Sequence, residues 1–289
     1  MHFKEAKGIL SAHNGMNIYR GCTHGCIYCD SRSRCYHIDH LFEDVEVKSN
    51  AVALLEDSLK RKRKKCMIGT GAMTDPYLHL EKTLQNTRKC LEVIGKYGFG
   101  ICLQTKSDMI LRDLDLLKDI NKKAKCVVQV TLTTYDEELC RILEPGVCTT
   151  AVRFEVLKTM RDNDIPTVVW MTPILPYIND TEHNIMGLIG YCVQAGVHGI
   201  INYGMGLTLR EGNREYFYHN LDIHFPGLKE RYIKEYGNSY SVISKNNGIL
   251  MKIFNETCRE NGIIYDNEKI FAYMREFKEK SEIEQLTVI

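Results

Sequence analysis

Three cysteines stand close together near the start of the chain, in Gly21-Cys22-Thr23-His24-Gly25-Cys26-Ile27-Tyr28-Cys29. Thiolates are the usual protein ligands of iron–sulfur clusters and are common in structural zinc sites. A closed metal site takes four protein ligands, and this stretch offers three. A metal left one ligand short can bind a molecule that reacts. Gly21 and Gly25 would let the backbone wrap tightly around a bulky group. Two other readings compete: three thiols that lie together by chance, and a zinc knuckle completed by His24, Cys35 or His37. Histidine acid–base chemistry is not evident, because the ten histidines are dispersed.

Such a loop needs elements to hold it. Short β-rich runs at 16–20, 66–69, 99–105, 126–133, 167–174 and 199–204 alternate with helical patterns at 50–64, 80–97, 111–122, 149–163 and 181–195. Ser49-Asn50, Asp108 and Asp180-Thr181 are the expected helix N-caps. Gly95 and Gly98 end the second helix, and Asp164-Ile165-Pro166 ends the fourth. Six successive β/α units imply a parallel sheet with helical crossovers, either an open doubly wound sheet or a complete or partial barrel. In the fourth strand Val127, Gln129, Thr131 and Thr133 alternate with Val128, Val130 and Leu132, so the two sets face opposite sides. A parallel strand buried in apolar layers reads apolar throughout. A polar row therefore points to an interior that holds a ligand, and to a partial (β/α)6 barrel of the TIM type. Residues 1–205 form this barrel. Residues 206–289 read as a helical extension packed on it, with helices at 228–236, 242–261 and 268–280.

The bulk numbers agree with a folded enzyme-sized chain. Its 289 residues are 44% hydrophobic and 26% charged, enough for a full core and too apolar for disorder. A net charge of +1 does not predict a polyanionic partner. The run Lys60-Arg61-Lys62-Arg63-Lys64-Lys65 reads first as a solvated helix C-terminus favoured by the helix dipole. No apolar stretch is long enough to span a bilayer, and no secretion signal opens the chain. With twelve cysteines, several in apolar runs, a reducing cytoplasm is expected.

The Cys22-x-x-x-Cys26-x-Tyr28-Cys29 spacing, after the first strand of a six-unit β/α chain, resembles the radical S-adenosylmethionine (radical SAM) superfamily. Further residues resemble its spore photoproduct lyase-like branch. They are Thr74-Asp75-Pro76, Thr105-Lys106-Ser107-Asp108, Val130-Thr131-Leu132, Glu144-Pro145-Gly146 with Arg153, and Thr172-Pro173-Ile174. The likeness covers roughly residues 14–205. The cysteine motif is highly specific to the superfamily, and the others are moderately specific to the branch.

The resemblance implies that the three thiolates hold a [4Fe-4S] cluster whose fourth iron binds S-adenosylmethionine. Reductive cleavage of that molecule yields a 5′-deoxyadenosyl radical, which takes hydrogen from a substrate. It further implies that the backbone of Gly69-Thr70-Gly71 takes the methionine amino group, and that Lys106 pairs with the carboxylate. Thr131 would bond a ribose hydroxyl, Arg153 would reach the carboxylate or ribose, Tyr28 would flank the adenine, and Thr172 would complete the cofactor site. A small redox protein such as flavodoxin or ferredoxin would supply the electron. The nine remaining cysteines show no paired metal spacing, so a single cluster is expected.

One departure limits the substrate. The branch's lyases carry a hydrogen-donor cysteine just before the Thr/Ser-Asp after strand two, where this chain reads Gly71-Ala72-Met73-Thr74-Asp75. A substrate other than a thymine dimer in DNA is expected, either a small molecule or a nucleic acid. Tyr203 and Cys102 are alternative hydrogen donors by type, although each reads first as core. Tyr203, Tyr216 and Tyr218 are expected to shape the substrate site. The competing class is a non-enzymatic module, with the cysteines as a structural metal site and the Lys60–Lys65 run as a nucleic-acid contact.

Overall fold

Val127, Val128 and Val130 are all fully buried, as a parallel strand covered on both faces requires. The computed structural model describes residues 1–280; positions 281–289 of the expected extension lie outside the described residues. Its strands are β1 (His2–Lys4), β2 (Gly15–Met16), β3 (Tyr19–Arg20), β4 (Glu46–Lys48), β5 (Met67–Thr70), β6 (Gly100–Thr105), β7 (Cys126–Thr131), β8 (Thr167–Trp170), β9 (Gly199–Ile201), β10 (Gly206–Thr208) and β11 (Ser241–Ile243). Six of them form one parallel sheet in the order β2-β5-β6-β7-β8-β9, which does not close on itself. Thr131 on β7 lies level with Trp170 on β8, and Gln104 on β6 level with Gln129.

The crossovers are α1 (Ala51–Arg61), α2 (Glu81–Leu84), α3 (Asn86–Lys96), α4 (Leu114–Lys123), α5 (Glu137–Leu143), α6 (Thr150–Arg161) and α7 (Glu182–Ala195). Leu55, Leu91, Leu117, Leu157 and Leu188 of these helices pack with the outward residues Val128 and Val130 in the main core. The inward residues belong to a separate cluster: Met67, Cys102, Val127, Val168 and Ile201 meet Ile270 and Met274. The α/β partial barrel expected from the alternation is therefore the observed architecture.

Several local expectations are corrected. The run at 16–20 is not one strand: Gly15–Met16 joins the barrel sheet, whereas Tyr19–Arg20 pairs antiparallel with β4, which also pairs with β1. The pattern at 80–97 breaks at Gln85, whose φ is 52°. Ser107, not Asp108, caps the turn before α4, its hydroxyl accepting from the Met109 N–H at 3.2 Å. Asn50 does not cap α1, because its amide is used in both directions by the backbone of Ala6. Thr181 does cap α7.

The extension differs most from a purely helical tail. It contains α8 (Asn213–His224), α9 (Leu228–Tyr236), α10 (Asn247–Glu260) and α11 (Asn267–Arg275), but also the antiparallel pair β10 and β11. The run at 242–261 is divided because Val242 pairs with Leu207 before α10 begins. Gly206 is required there: a Cβ on it would lie 2.3 Å from the Val242 carbonyl oxygen. Beyond α10, the Ile200 N–H donates to the Ile264 carbonyl at 2.8 Å. This places α11 against the inward apolar cluster. Among the described residues no helix is long and apolar enough to cross a membrane.

Candidate functional site

The cysteine loop follows β3 and is fixed by backbone contacts on both sides. The Cys22 N–H donates to the Phe42 carbonyl at 2.8 Å. Gly21, at φ 85°, passes so close that a Cβ would sit 2.5 Å from the same oxygen. On the other side, the Gly146 N–H donates to the His24 carbonyl at 2.8 Å and the Ile27 N–H to the Leu143 carbonyl at 3.0 Å. The His24 N–H points at Cys22 Sγ, 3.4 Å away. Burial pushes the Cys22 thiol up to about 12 and the Cys26 thiol higher still. Unaided, both stay protonated at neutral pH; thiolate formation needs a positive metal group to offset burial.

Of the three residues offered to complete a zinc knuckle, His24 and Cys35 have partners of their own. Nδ1 of buried His24 lies 3.6 Å from Asp75 Oδ2. Cys35 is exposed, and its sulfur takes Nη1 of Arg210 at 3.1 Å.

The three cysteines open onto a cavity of about 620 Å³ at the C-terminal ends of the strands, where active sites of such barrels lie. Tyr28, Gly71, Lys106, Thr131 and Thr172 line the same cavity. Gly71 has φ 98°, and a Cβ there would lie 2.0 Å from the Gln104 carbonyl oxygen. Asp75 fixes the neighbouring turns: its carboxylate accepts from Thr105 Oγ1, the Lys106 N–H and the Tyr77 N–H, all at 2.7–2.8 Å. The Lys106 ammonium stands 5.9 Å from the Tyr28 ring centroid, and among the described residues it meets no hydrogen-bond acceptor. Burial works to lower its pKa, but negative neighbours, Cys26 once ionised and Glu144, raise it, so the lysine stays charged. Thr131 Oγ1 is buried without a partner. An unpaired ammonium and an orphaned hydroxyl beside three thiols fit a metal cluster with a carboxylate- and hydroxyl-bearing ligand.

Not every expected residue reaches this cavity. Gly69 and Thr70 instead line an adjoining cavity of about 590 Å³, which also takes in Cys102, Gln129 and Met274. Arg153 lines neither. It is only 1% exposed, and its guanidinium is consumed within the protein. Nη1 donates to the Thr131 carbonyl at 2.7 Å, Nε to the Cys148 carbonyl at 3.0 Å, and Nη2 to the Glu144 carboxylate. Glu144, also buried, accepts the Tyr28 hydroxyl. Burial alone would raise the Glu144 carboxyl, but Arg153 and Lys106 hold it below its ordinary value. Arg153 thus acts on the cavity through the residues it holds: Thr131 by its carbonyl, and Tyr28 by way of Glu144.

Trp170 was missed. It lines both cavities, and its indole N–H donates to Gln129 Oε1 at 2.7 Å. The signal was present: alternation along β8 faces Val168, Trp170 and then Thr172 inward. Tyr203, expected first as core, is 59% exposed and lines the cavity, with its ring 6.3 Å from Trp170. Tyr216 and Tyr218 do not line it; Tyr216 stacks on Arg32 and Tyr218 is buried beside Phe217. Their place is taken by Tyr240, with Leu207, Thr208, Ser241 and Ile243 from β10 and β11. Cys102 is buried in the adjoining cavity, where its sulfur takes the Gln129 amide at 3.1 Å.

Comparison with known proteins places the fold. The chain is 30% identical over 229 residues to an uncharacterized protein of Mycobacterium tuberculosis, covering 76% of this chain and 66% of that one. It is 33% identical over 172 residues to an uncharacterized protein of Methanocaldococcus jannaschii, covering 59% of this chain and 63% of that one. The chain thus spans just under two thirds of the length of these relatives. Its fold is similar to that of a spore photoproduct lyase mutant, with a TM-score of 0.62, 14% identity, and coverage of 90% of this chain and 76% of that one. A spore photoproduct lyase complexed with dinucleoside spore photoproduct gives a TM-score of 0.60 at 14% identity, covering 84% and 72%. Residues 16–189, from the end of β2 to the middle of α7, match the family model of the radical SAM superfamily, and the chain belongs to that superfamily.

Proposed function

We propose that the chain is a radical SAM enzyme, with Cys22, Cys26 and Cys29 holding a [4Fe-4S] cluster and the 620 Å³ cavity holding S-adenosylmethionine. The observation that carries this reading is that the three thiols, the unpaired Lys106 ammonium and the orphaned Thr131 hydroxyl share that one cavity. When bound, the reduced cluster and S-adenosylmethionine supply a 5′-deoxyadenosyl radical that removes hydrogen from a substrate. The protein's own part is to bind, orient and shield. Lys106 pairs with the methionine carboxylate, the Gly71 backbone approaches the amino group, Thr131 bonds a ribose hydroxyl, and Tyr28 and Thr172 border the nucleoside. Trp170 and the β10–β11 pair wall the cavity against water, which protects a reactive species. A small redox protein such as flavodoxin or ferredoxin delivers the electron.

The substrate is not a thymine dimer in DNA on this reading. The resemblance puts a hydrogen-donor thiol in this stretch, and Ala72 and Met73, which line the cavity there, bring none. The test is direct. The chain is loaded anaerobically with iron and sulfide, reduced with dithionite and given S-adenosylmethionine. Release of 5′-deoxyadenosine supports the reading; a chain holding four irons that releases none overturns it.

Lys106→Met gives a second expected result. A charge-assisted hydrogen bond contributes about 1.5–3 kcal/mol, so its loss should weaken S-adenosylmethionine binding about 10- to 100-fold. Calorimetric titration of the iron-loaded protein measures this, and unchanged affinity would remove Lys106 from the carboxylate site.

A further inference from the structure

A second cluster of ligating side chains lies behind the cysteine loop. Parallel pairing of β1 with β4 sets His2 opposite Glu46 and beside the loop at 40–44. The rings of His2 and His40 meet edge to face, with centroids 4.9 Å apart. His2 Nδ1 is 2.9 Å from Asp44 Oδ2. One ligand atom from each of His2, His40 and Asp44 lies within 4.8 Å of the other two, and no other such set exists among the described residues. The other Asp44 oxygen faces the Met1 amino group at 2.8 Å, and Glu46 Oε2 stands 3.9 Å from His2 Nε2.

His40 carries the second observation. Its Nδ1 lies 2.9 Å from the Leu41 carbonyl oxygen. A carbonyl only accepts, so this contact assigns the proton to Nδ1. Nε2 of the neutral ring then keeps its lone pair, yet it is buried and has no partner. A buried nitrogen left unpaired carries a free-energy cost and calls for an explanation. A ring whose far N–H is held by a carbonyl while the other nitrogen stands free is how metal-binding histidines are prepared.

We propose that His2, His40 and Asp44 form a binding site for a divalent transition-metal ion of the zinc type, independent of the cysteine loop. Two imidazoles and a carboxylate are ligands zinc takes readily. Tetrahedral coordination sets such atoms about 3.4 Å apart, a short side-chain adjustment from the present spacing. The fourth position falls to water or to Glu46. The ion ties β1 to the loop at 40–44, and that loop supports the cysteines. The Phe42 carbonyl accepts from the Cys22 N–H, and a Cβ on Gly21 would lie 3.5 Å from His40 Cε1. The ion is therefore a brace for the entry to the cluster loop, with no part in the radical chemistry itself.

Cobalt(II) is the probe. The whole chain, without an N-terminal tag and carrying Cys22→Ser, Cys26→Ser and Cys29→Ser, is titrated with cobalt chloride. One equivalent should bind, with visible ligand-field absorption and no thiolate charge-transfer band. Adding His40→Ala or Asp44→Asn should weaken binding about 100-fold or more, since loss of even an outer partner of a ligand costs 10- to 100-fold. Absence of saturable binding, or binding that survives both substitutions, overturns the proposal. Should the serine variant fail to fold, zinc is measured in the iron-loaded natural chain, whose cysteines are then occupied. One zinc per chain, lost in His40→Ala, supports the site; equal zinc in both overturns it. Neither outcome depends on whether S-adenosylmethionine is cleaved.

Discussion

Cys26→Ala is expected to abolish 5′-deoxyadenosine release, a fall of about 1,000-fold or more, equivalent to about 4 kcal/mol of transition-state stabilisation. Cys26 is the middle ligand of the loop and lies only 7% exposed, packed with Ile27, Tyr28 and Leu143. Losing it leaves two thiols, Cys22 and Cys29, where the cluster takes three. Iron content and the broad visible absorption of the loaded protein should fall together with activity. Because Cys26 packs in a small apolar cluster, alanine fits without a buried polar group, and loss of activity should not come with loss of the fold. Cys35→Ala is the matching control. Cys35 is exposed and outside the cavity, so its removal should leave iron content and activity unchanged, whereas a zinc knuckle using it would lose metal. Activity that survives Cys26→Ala would overturn the ligand assignment.

How much of this was legible follows from the range of each signal. The cysteine spacing is local, and it was read directly. The polar row on β7 was also legible, because strand alternation is a period of two residues and needs no partner to be seen. It placed Gln129 and Thr131 inside, and the same rule applied to β8 would have found Trp170. What failed was long-range. Nothing near Arg153 announces that Glu144 will be delivered to its guanidinium, so the residue reads as a ligand contact, whereas its guanidinium is taken up by Glu144 and two backbone carbonyls. Gly206–Thr208 and Ser241–Ile243 are separated by two helices, and neither segment is apolar enough to reveal its partner. The split of 16–20 between two sheets depends on which neighbours claim Met16 and Tyr19, and the run itself carries no sign of it.

Arg153→Met is expected to destabilise the fold by about 3–5 kcal/mol, because removing one partner of a buried pair strands the other charge. For a domain of this size that corresponds to a fall of about 6–20 °C in the thermal midpoint. The stranded group is Glu144, buried beneath Tyr28 and left without its strongest donor. Its pH behaviour identifies the cause. In the natural chain the Glu144 carboxyl is held below its ordinary 4.5, so the pair's contribution is complete above that pH and is lost as pH falls through the lower folded value. In Arg153→Met, burial acts with less opposition and raises the carboxyl, so acidification protonates it and relieves the penalty. The gap in thermal midpoint between the two proteins should therefore be widest near neutral pH and narrow below about pH 4.5. A second substitution, Glu144→Leu, should recover most of the lost stability by removing the stranded charge, though not the hydrogen bond taken from Tyr28. A gap that stays constant from neutral to acid pH, or a double variant no more stable than Arg153→Met alone, would show that Arg153 stabilises the fold through its bonds to the Thr131 and Cys148 carbonyls, not through Glu144.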